Sequence, residues 1–139
     1  MKILIIDAQG GGMGRQLVTS VKKEFPQAEV GAVGTNSLAS SNMLKAGADY
    51  AATGENAVIV GCRRSDVIIG PVGIAIADSM HGEITPMMAA AVGQSGAKKL
   101  LIPMNQCGNV IVGVKNTSMS DMIEAVIGQL REYVKGYVF

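Results

Sequence analysis

Tryptophan is missing, and three tyrosines and two phenylalanines are the only aromatic residues among 139. Ile, Val, Ala and Met must therefore fill whatever core the chain builds. Cysteine is scarce too: Cys62 and Cys107 show no metal-ligand spacing, so no metal site is expected and both read as small buried or half-buried residues. A disulfide between them would be out of place in a cytosolic protein. Charged residues make up only 17% of the chain and nearly cancel, to a net +1. That excludes the basic footprint of a nucleic-acid binder or of a protein held on an anionic membrane. No uninterrupted apolar run reaches the roughly 20 residues of a spanning helix. Residues 1–14 lack a signal peptide's basic start and cleavage site, so a cytoplasmic location is expected.

What the chain has is apolar bulk: 48% hydrophobic residues and a mean hydropathy of +0.31. Its length is that of one domain, residues 1–139, too short for a cofactor domain plus a separate substrate domain. In a domain this small much apolar surface stays outside, and a second copy would cover it, so a homodimer or higher homo-oligomer is expected.

Lys2-Ile3-Leu4-Ile5-Ile6 opens the chain as a strand. Beyond a cluster of glycines, Leu17, Val18, Val21 and Phe25 recur at helical spacing until Pro26. Glu29-Val30-Gly31-Ala32-Val33-Gly34 reads as a second strand, and Ser37 as the cap of a helix that Gly47 ends. Residues 49–52 read as a short third strand, and residues 54–64 as a helix with Val58, Ile59 and Cys62 on its apolar side. Val67-Ile68-Ile69-Gly70 has the continuous apolar character of a strand buried on both faces. A short helix is predicted over residues 74–80, then one with Thr85 as N-cap, Pro86 at its first position and Gly93 at its end. Lys99-Leu100-Leu101-Ile102-Pro103 is a fifth strand. A turn over residues 105–109 then leads to Val110-Ile111-Val112-Gly113-Val114, a sixth strand that must pair antiparallel because the connection is too short for a parallel crossover. The last helix starts near Ser118, with Asp121 in an approximate capping box, and carries Met122, Ile123, Val126, Ile127, Leu130 and Val134 on one face. This alternation predicts an α/β, Rossmann-like three-layer sandwich: a mostly parallel sheet of five or six strands with an antiparallel edge strand. Ligands of such a sheet bind at the carboxyl ends of its strands, beside the switch point next to strand one.

Gly10, Gly11, Gly12, Met13 and Gly14 lie at that point, between a buried strand and a helix N-terminus. Unpaired amides and the positive end of the helix dipole make such a loop a natural seat for phosphate. The other reading is a tight connection that needs its glycines only for the turn. The match to G-x-G-x-x-G is incomplete, because Arg15 stands where a small residue is needed for close packing. A P-loop would need a Lys and a hydroxyl where Arg15 and Gln16 stand, which disfavours NTP hydrolysis. Asp7, at the end of strand one, either orders the turn or serves a metal-bound phosphate. After strand two, Gly34-Thr35-Asn36-Ser37 supplies neither an acid for a ribose nor an Arg for a 2′-phosphate, although Thr35 and Asn36 can hydrogen-bond either group. Thr53-Gly54-Glu55-Asn56, Gly70, Pro71 and the polar connection of Asn105, Gln106, Cys107 and Asn109 fall on the same rim. The expected ligand is a nucleotide, a dinucleotide or another small phosphorylated molecule, with NAD(P) and other nucleotides open as cofactors. No catalytic set is apparent. Asp7, Asp78, His81 and Glu83 are the candidates for acid–base work in a second reading, a small oxidoreductase-like, nucleotide-dependent enzyme whose active site is completed across a dimer. A third reading is a ligand-free protein-interaction subunit.

Several segments carry a resemblance: Ile6-Asp7-Ala8-Gln9-Gly10-Gly11-Gly12-Met13-Gly14, Gly34-Thr35-Asn36, Leu44-Lys45-Ala46-Gly47-Ala48-Asp49, Thr53-Gly54-Glu55-Asn56-Ala57, Asp66-Val67-Ile68-Ile69-Gly70-Pro71, Gly82-Glu83-Ile84-Thr85-Pro86 and Lys98-Lys99-Leu100-Leu101-Ile102-Pro103. Through them the chain resembles, almost end to end, a family of small bacterial proteins known as a domain of unknown function. The resemblance implies a bacterial cytoplasmic protein with a Rossmann-like fold. A fold alone implies no function, so the ligand argument rests on the glycine loop.

Overall fold

Strand β1, Lys2–Asp7, is apolar without interruption from Ile3 to Ile6 because both of its faces are covered. A computed structural model describes residues 1–104 and 108–137. After β1 come α1 (Gly12–Glu24), β2 (Glu29–Gly34), α2 (Ser37–Lys45), β3 (Tyr50–Thr53), α3 (Glu55–Arg64) and β4 (Val67–Pro71). A 3-10 turn (Val72–Ala75), α4 (Pro86–Gln94), β5 (Lys98–Ile102) and α5 (Met119–Tyr137) complete the order. The five strands form one sheet in the order β3-β2-β1-β4-β5, and every pairing is parallel. The chain builds outward from β1 through β2 and β3, then returns to the other side of β1 for β4 and β5. The direction of winding therefore reverses between β1 and β4, which opens a crevice at their carboxyl ends.

Alternate residues of the central strands feed two cores. Ile3, Ile5, Val67 and Ile69 face α1, α2 and α5 through Leu17, Val18, Met43, Ile127 and Leu130. Leu4, Ile6 and Ile68 face α3 and α4 through Val58, Cys62, Met88 and Val92. Cys62 is only 3% exposed, and burial, partly offset by the charge of Lys99, pushes its thiol up to about 11. It is thus a protonated, small apolar residue near neutral pH. Iodoacetamide is expected to leave Cys62 unmodified in the folded protein and to alkylate it in urea, as read by peptide mass spectrometry. Cys107, with Asn105 and Gln106, lies outside the described residues, as does most of the turn expected there.

Three expectations are corrected. Residues 110–114 are not a strand, and the sheet has no antiparallel edge among the described residues: Val110, Val112 and Val114 are 70%, 91% and 46% exposed. Gly113, at φ +85°, breaks extended geometry inside the run, and strand propensity yields where no partner covers the side chains. The helix expected over residues 74–80 does not form: the 3-10 turn stops at Ala75, where Ile76 takes up extended backbone, and the left-handed backbone of Asp78 and Met80 is incompatible with a helix beyond it. The cap of α2 is Asn36 rather than Ser37: Asn36 has extended backbone and its Oδ1 accepts from the Ala39 amide at 2.9 Å. The other caps are as expected, with Thr85 Oγ1 accepting from the Met88 amide and Ser118 Oγ from the Asp121 amide, each at 3.1 Å. Gly93 sits inside the last turn of α4, which closes at Ser95.

Candidate functional site

The glycines of the loop divide into two kinds. Gly11, the N-cap of α1, is left-handed at φ +72°, and a Cβ there would lie 2.8 Å from Ala39 Cα. On Gly14 a Cβ would lie 2.5 Å from Met43 Sδ and 2.9 Å from Asp7 Cβ, so α1 approaches β1 and α2 closely only because this side chain is missing. Gly10 and Gly12 have no such reason: neither has positive φ, and nothing lies within 4 Å of where a Cβ would stand. The amides of Gly12 and Met13 belong to the first turn, which has no intrahelical acceptors. Among the described residues no turn or loop carbonyl takes them, nor the amide of Gly10.

Asp7, 5% exposed, turns its carboxylate inward and accepts from the Ala8 amide at 2.8 Å and the Gly14 amide at 2.7 Å. It therefore orders the turn, and it satisfies one of the helix-end donors with its own charge. Burial raises its pKa above the ordinary carboxylate range; the Gly14 and Ala8 amides work against this, and the charge of Glu83 adds to it. Among the described residues no three His, Cys, Asp or Glu side chains are grouped to hold a metal ion.

Sequence spacing gives no sign of the next cluster. Glu83 comes from the connection after β4, yet its Oε1 lies at the end of β2. It accepts from the Gln9 amide at 2.9 Å, Thr35 Oγ1 at 2.7 Å and Asn36 Nδ2 at 2.8 Å. Asn36 Nδ2 also donates to the Gln9 carbonyl, and Asn42 Nδ2 to that of Gly10. Burial would raise the Glu83 pKa, but the bonds from Gln9, Thr35 and Asn36, together with the charge of His81, prevail and lower it. Its contribution to stability is accordingly present above the ordinary Glu range and lost as pH falls through the depressed value, whereas Asp7 contributes most when protonated, with the opposite sign. So an acid does stand at the end of β2, delivered from a distant segment. His81 and Asp78 share that segment and are both exposed.

The rest of the rim is structural in its contacts. A Cβ on Gly70 would strike the Ile6 carbonyl oxygen, so β4 needs glycine there, and Pro71 is buried at the strand's end. The Gly54 amide donates to the Gly34 carbonyl at 2.9 Å, and Thr53 Oγ1 lies 2.6 Å from Ser40 Oγ.

Residues 76–83 run from beside Pro71 and Gly73, after β4, to the ends of β1 and β2, where Glu83 meets Gln9, Thr35 and Asn36. Asp78, Met80 and His81 have φ of +65°, +56° and +57°, followed by Gly82 at +84°. Such backbone is disfavoured for side-chain-bearing residues, least so for Asp and His. Met80 is held in it by burial in the α3/α4 core, and Ser79 Oγ donates to the Gly73 carbonyl at 2.5 Å. Between this segment and Pro71 and Gly73 is a cavity of about 20 Å³, room for about one water. A far larger groove of about 910 Å³, lined by Ile59, Asp66, Met87 and Gly96 among others, opens near the amino ends of β4 and β5, away from the glycine loop.

A search among curated proteins finds no match. Among solved structures the chain is similar to a dodecameric FMN-dependent UbiX-like decarboxylase from Escherichia coli O157:H7, with a TM-score of 0.54 and 16% identity over 97% of this chain and 95% of that one. At that identity the likeness shows the fold alone, and it agrees with the Rossmann-like sheet described above. A family model, Domain of unknown function (DUF3842), matches residues 2–135, and with nearly the whole chain covered, the protein belongs to that family.

Proposed function

We propose that this chain binds a nucleotide at the switch point, with a phosphate on the amides of Gly10, Gly12 and Met13. One observation carries the reading: Gly10 and Gly12 are glycines that neither backbone conformation nor packing among the described residues requires, and they stand beside amides to which no described turn or loop carbonyl is bonded. A missing side chain there leaves a phosphate room to reach the backbone, and the α1 dipole favours its charge. Asp7 does not stand in the way, since its carboxylate is turned onto the Ala8 and Gly14 amides. The neighbour's dependence on FMN makes flavin mononucleotide the first ligand to test, ahead of NAD(P) and adenine nucleotides. Self-association belongs to the same proposal. Helix α4 has no charged residue and leaves Met87 59% exposed, and the structural neighbour is a dodecamer.

In a thermal-unfolding panel with FMN, NAD, NADP and ATP, one ligand at a hundred times its Kd should stabilise the protein by about 2.7 kcal/mol, a shift of several degrees. Gly12→Val should keep the stability of the free protein within about 0.5 kcal/mol of the wild type, because its side chain has room, and should abolish the response. A folded Gly12→Val protein that binds every ligand as the wild type does would falsify the phosphate seat.

A further inference from the structure

In the parallel sheet the ligand crevice lies over the carboxyl ends of β1 and β4, and residues 76–83 run back from β4 to the end of β2. The tip of that segment delivers one oxygen, Oε1 of Glu83, to three donors from two different strand ends: the Gln9 amide after β1, and the Thr35 hydroxyl and Asn36 side-chain amide after β2. Three donors converging on one point make an oxyanion seat, and here the occupant is a carboxylate of the protein itself. The segment's attachment is uneven. Ser79, Met80 and Ile84 are buried, whereas His81 and Gly82 are exposed and Glu83 is only half-buried. The backbone of the tip is tied to the base by the Gly82 amide on the Asp78 carbonyl at 3.2 Å and the Glu83 amide on the Met80 carbonyl at 3.1 Å, so the part free to leave the seat is the half-buried Glu83 side chain. The bonds from Gln9, Thr35 and Asn36 to Glu83 oppose its release. An incoming anion that left Glu83 in place would face both Glu83 and the nearby Asp7, whereas one that replaced Glu83 would keep the local charge nearly constant.

We infer that Gln9, Thr35 and Asn36 form a second seat, for an acceptor group of the ligand beyond the phosphate on the glycine-loop amides (the second phosphate of ADP, a ring carbonyl of FMN), and that Glu83 keeps it closed until the ligand displaces it. The inference rests on the nucleotide reading above and adds a self-competition to that site: ligand affinity is reduced by the fraction of molecules in which the strap is down.

The experiment titrates the wild type, Glu83→Ala and Glu83→Gln with FMN and with ADP by calorimetry, and follows hydrogen exchange over residues 76–83. Glu83→Ala should bind the responding nucleotide at least about 5-fold more tightly than the wild type. In the free variant residues 76–83 should exchange faster, and nucleotide should produce the same acceleration in the wild type. Adding Thr35→Val to Glu83→Ala should return the affinity toward the wild-type value by removing a donor. If Glu83→Ala fails to fold, Glu83→Gln, which keeps size and an acceptor oxygen without the charge, carries the same expectation at smaller amplitude. Equal or weaker binding by a folded Glu83 variant, or no effect of the added Thr35→Val, overturns the strap while leaving the nucleotide reading standing. Absence of binding to the wild type and every Glu83 variant overturns both.

Discussion

Gly14→Val is expected to destabilise the protein by at least the roughly 1–3 kcal/mol of an overpacked core, and it will accumulate poorly if expressed near physiological temperature. The new Cβ alone would lie 2.5 Å from Met43 Sδ and 2.9 Å from Asp7 Cβ, and valine adds two methyl groups. Met43 is an adaptable neighbour, but the Asp7 carboxylate cannot retreat without releasing the Gly14 and Ala8 amides it binds. Urea unfolding followed by circular dichroism measures the effect. The contrast with Gly12→Val, two residues away and close to neutral in the free protein, is the informative part. If both substitutions cost the same, the division of the loop into packing glycines and open glycines is wrong.

Leu130→Ala should cost more, about 2–5 kcal/mol, the range for a fully buried leucine. Leu130 is 0% exposed and stands at the end of the Ile123, Val126, Ile127 stripe that fastens α5 to α1 and the sheet. The visible electrostatic link between the two helices, Arg131 to Glu24 at 2.7 Å, joins side chains 47% and 38% exposed, and pairs of that kind contribute at most about 1 kcal/mol. Arg131→Ala is thus expected to shift the urea midpoint by a small fraction of the Leu130→Ala shift. Equal effects would mean that α5 is held by charge rather than by burial.

Much of this fold can be read from residues alone, and the reasons are local. Ile3-Leu4-Ile5-Ile6 and Val67-Ile68-Ile69 have no polar side, which only a strand covered on both faces tolerates, and Thr85-Pro86 marks a helix start by chemistry confined to four residues. Asn36 and Ser37 are both good caps, and only the extended backbone at Asn36 decides between them. The run from Val110 to Val114 is a good strand by composition, but pairing is a property of what lies alongside, which composition does not carry. The candidate site was half legible. The loop's position followed from the strand–glycine–helix order, yet identical glycines at 10, 11, 12 and 14 are sorted only by their neighbours in space. The Glu83 corner was invisible because its bonds join residues 47, 48 and 74 positions apart. The acid that strand two's own loop lacks is supplied by Glu83 from the connection after β4.

The strand order also sets a schedule for synthesis. β1 pairs with β2 along its full length, but its other edge is completed by Val67, Ile68 and Ile69. No hairpin closes any part of this sheet, so each pairing waits for a crossover to be made first, a topology whose loop-closure cost slows folding relative to helical proteins of similar size. While the ribosome is still producing α3, β1 presents one row of unpaired amides and carbonyls, beside an uninterrupted Ile3-Leu4-Ile5-Ile6 run, to its surroundings. The nascent chain is thus most vulnerable to misassembly before β4 emerges, and any pause in translation while Val67–Pro71 are still held by the ribosome lengthens that interval.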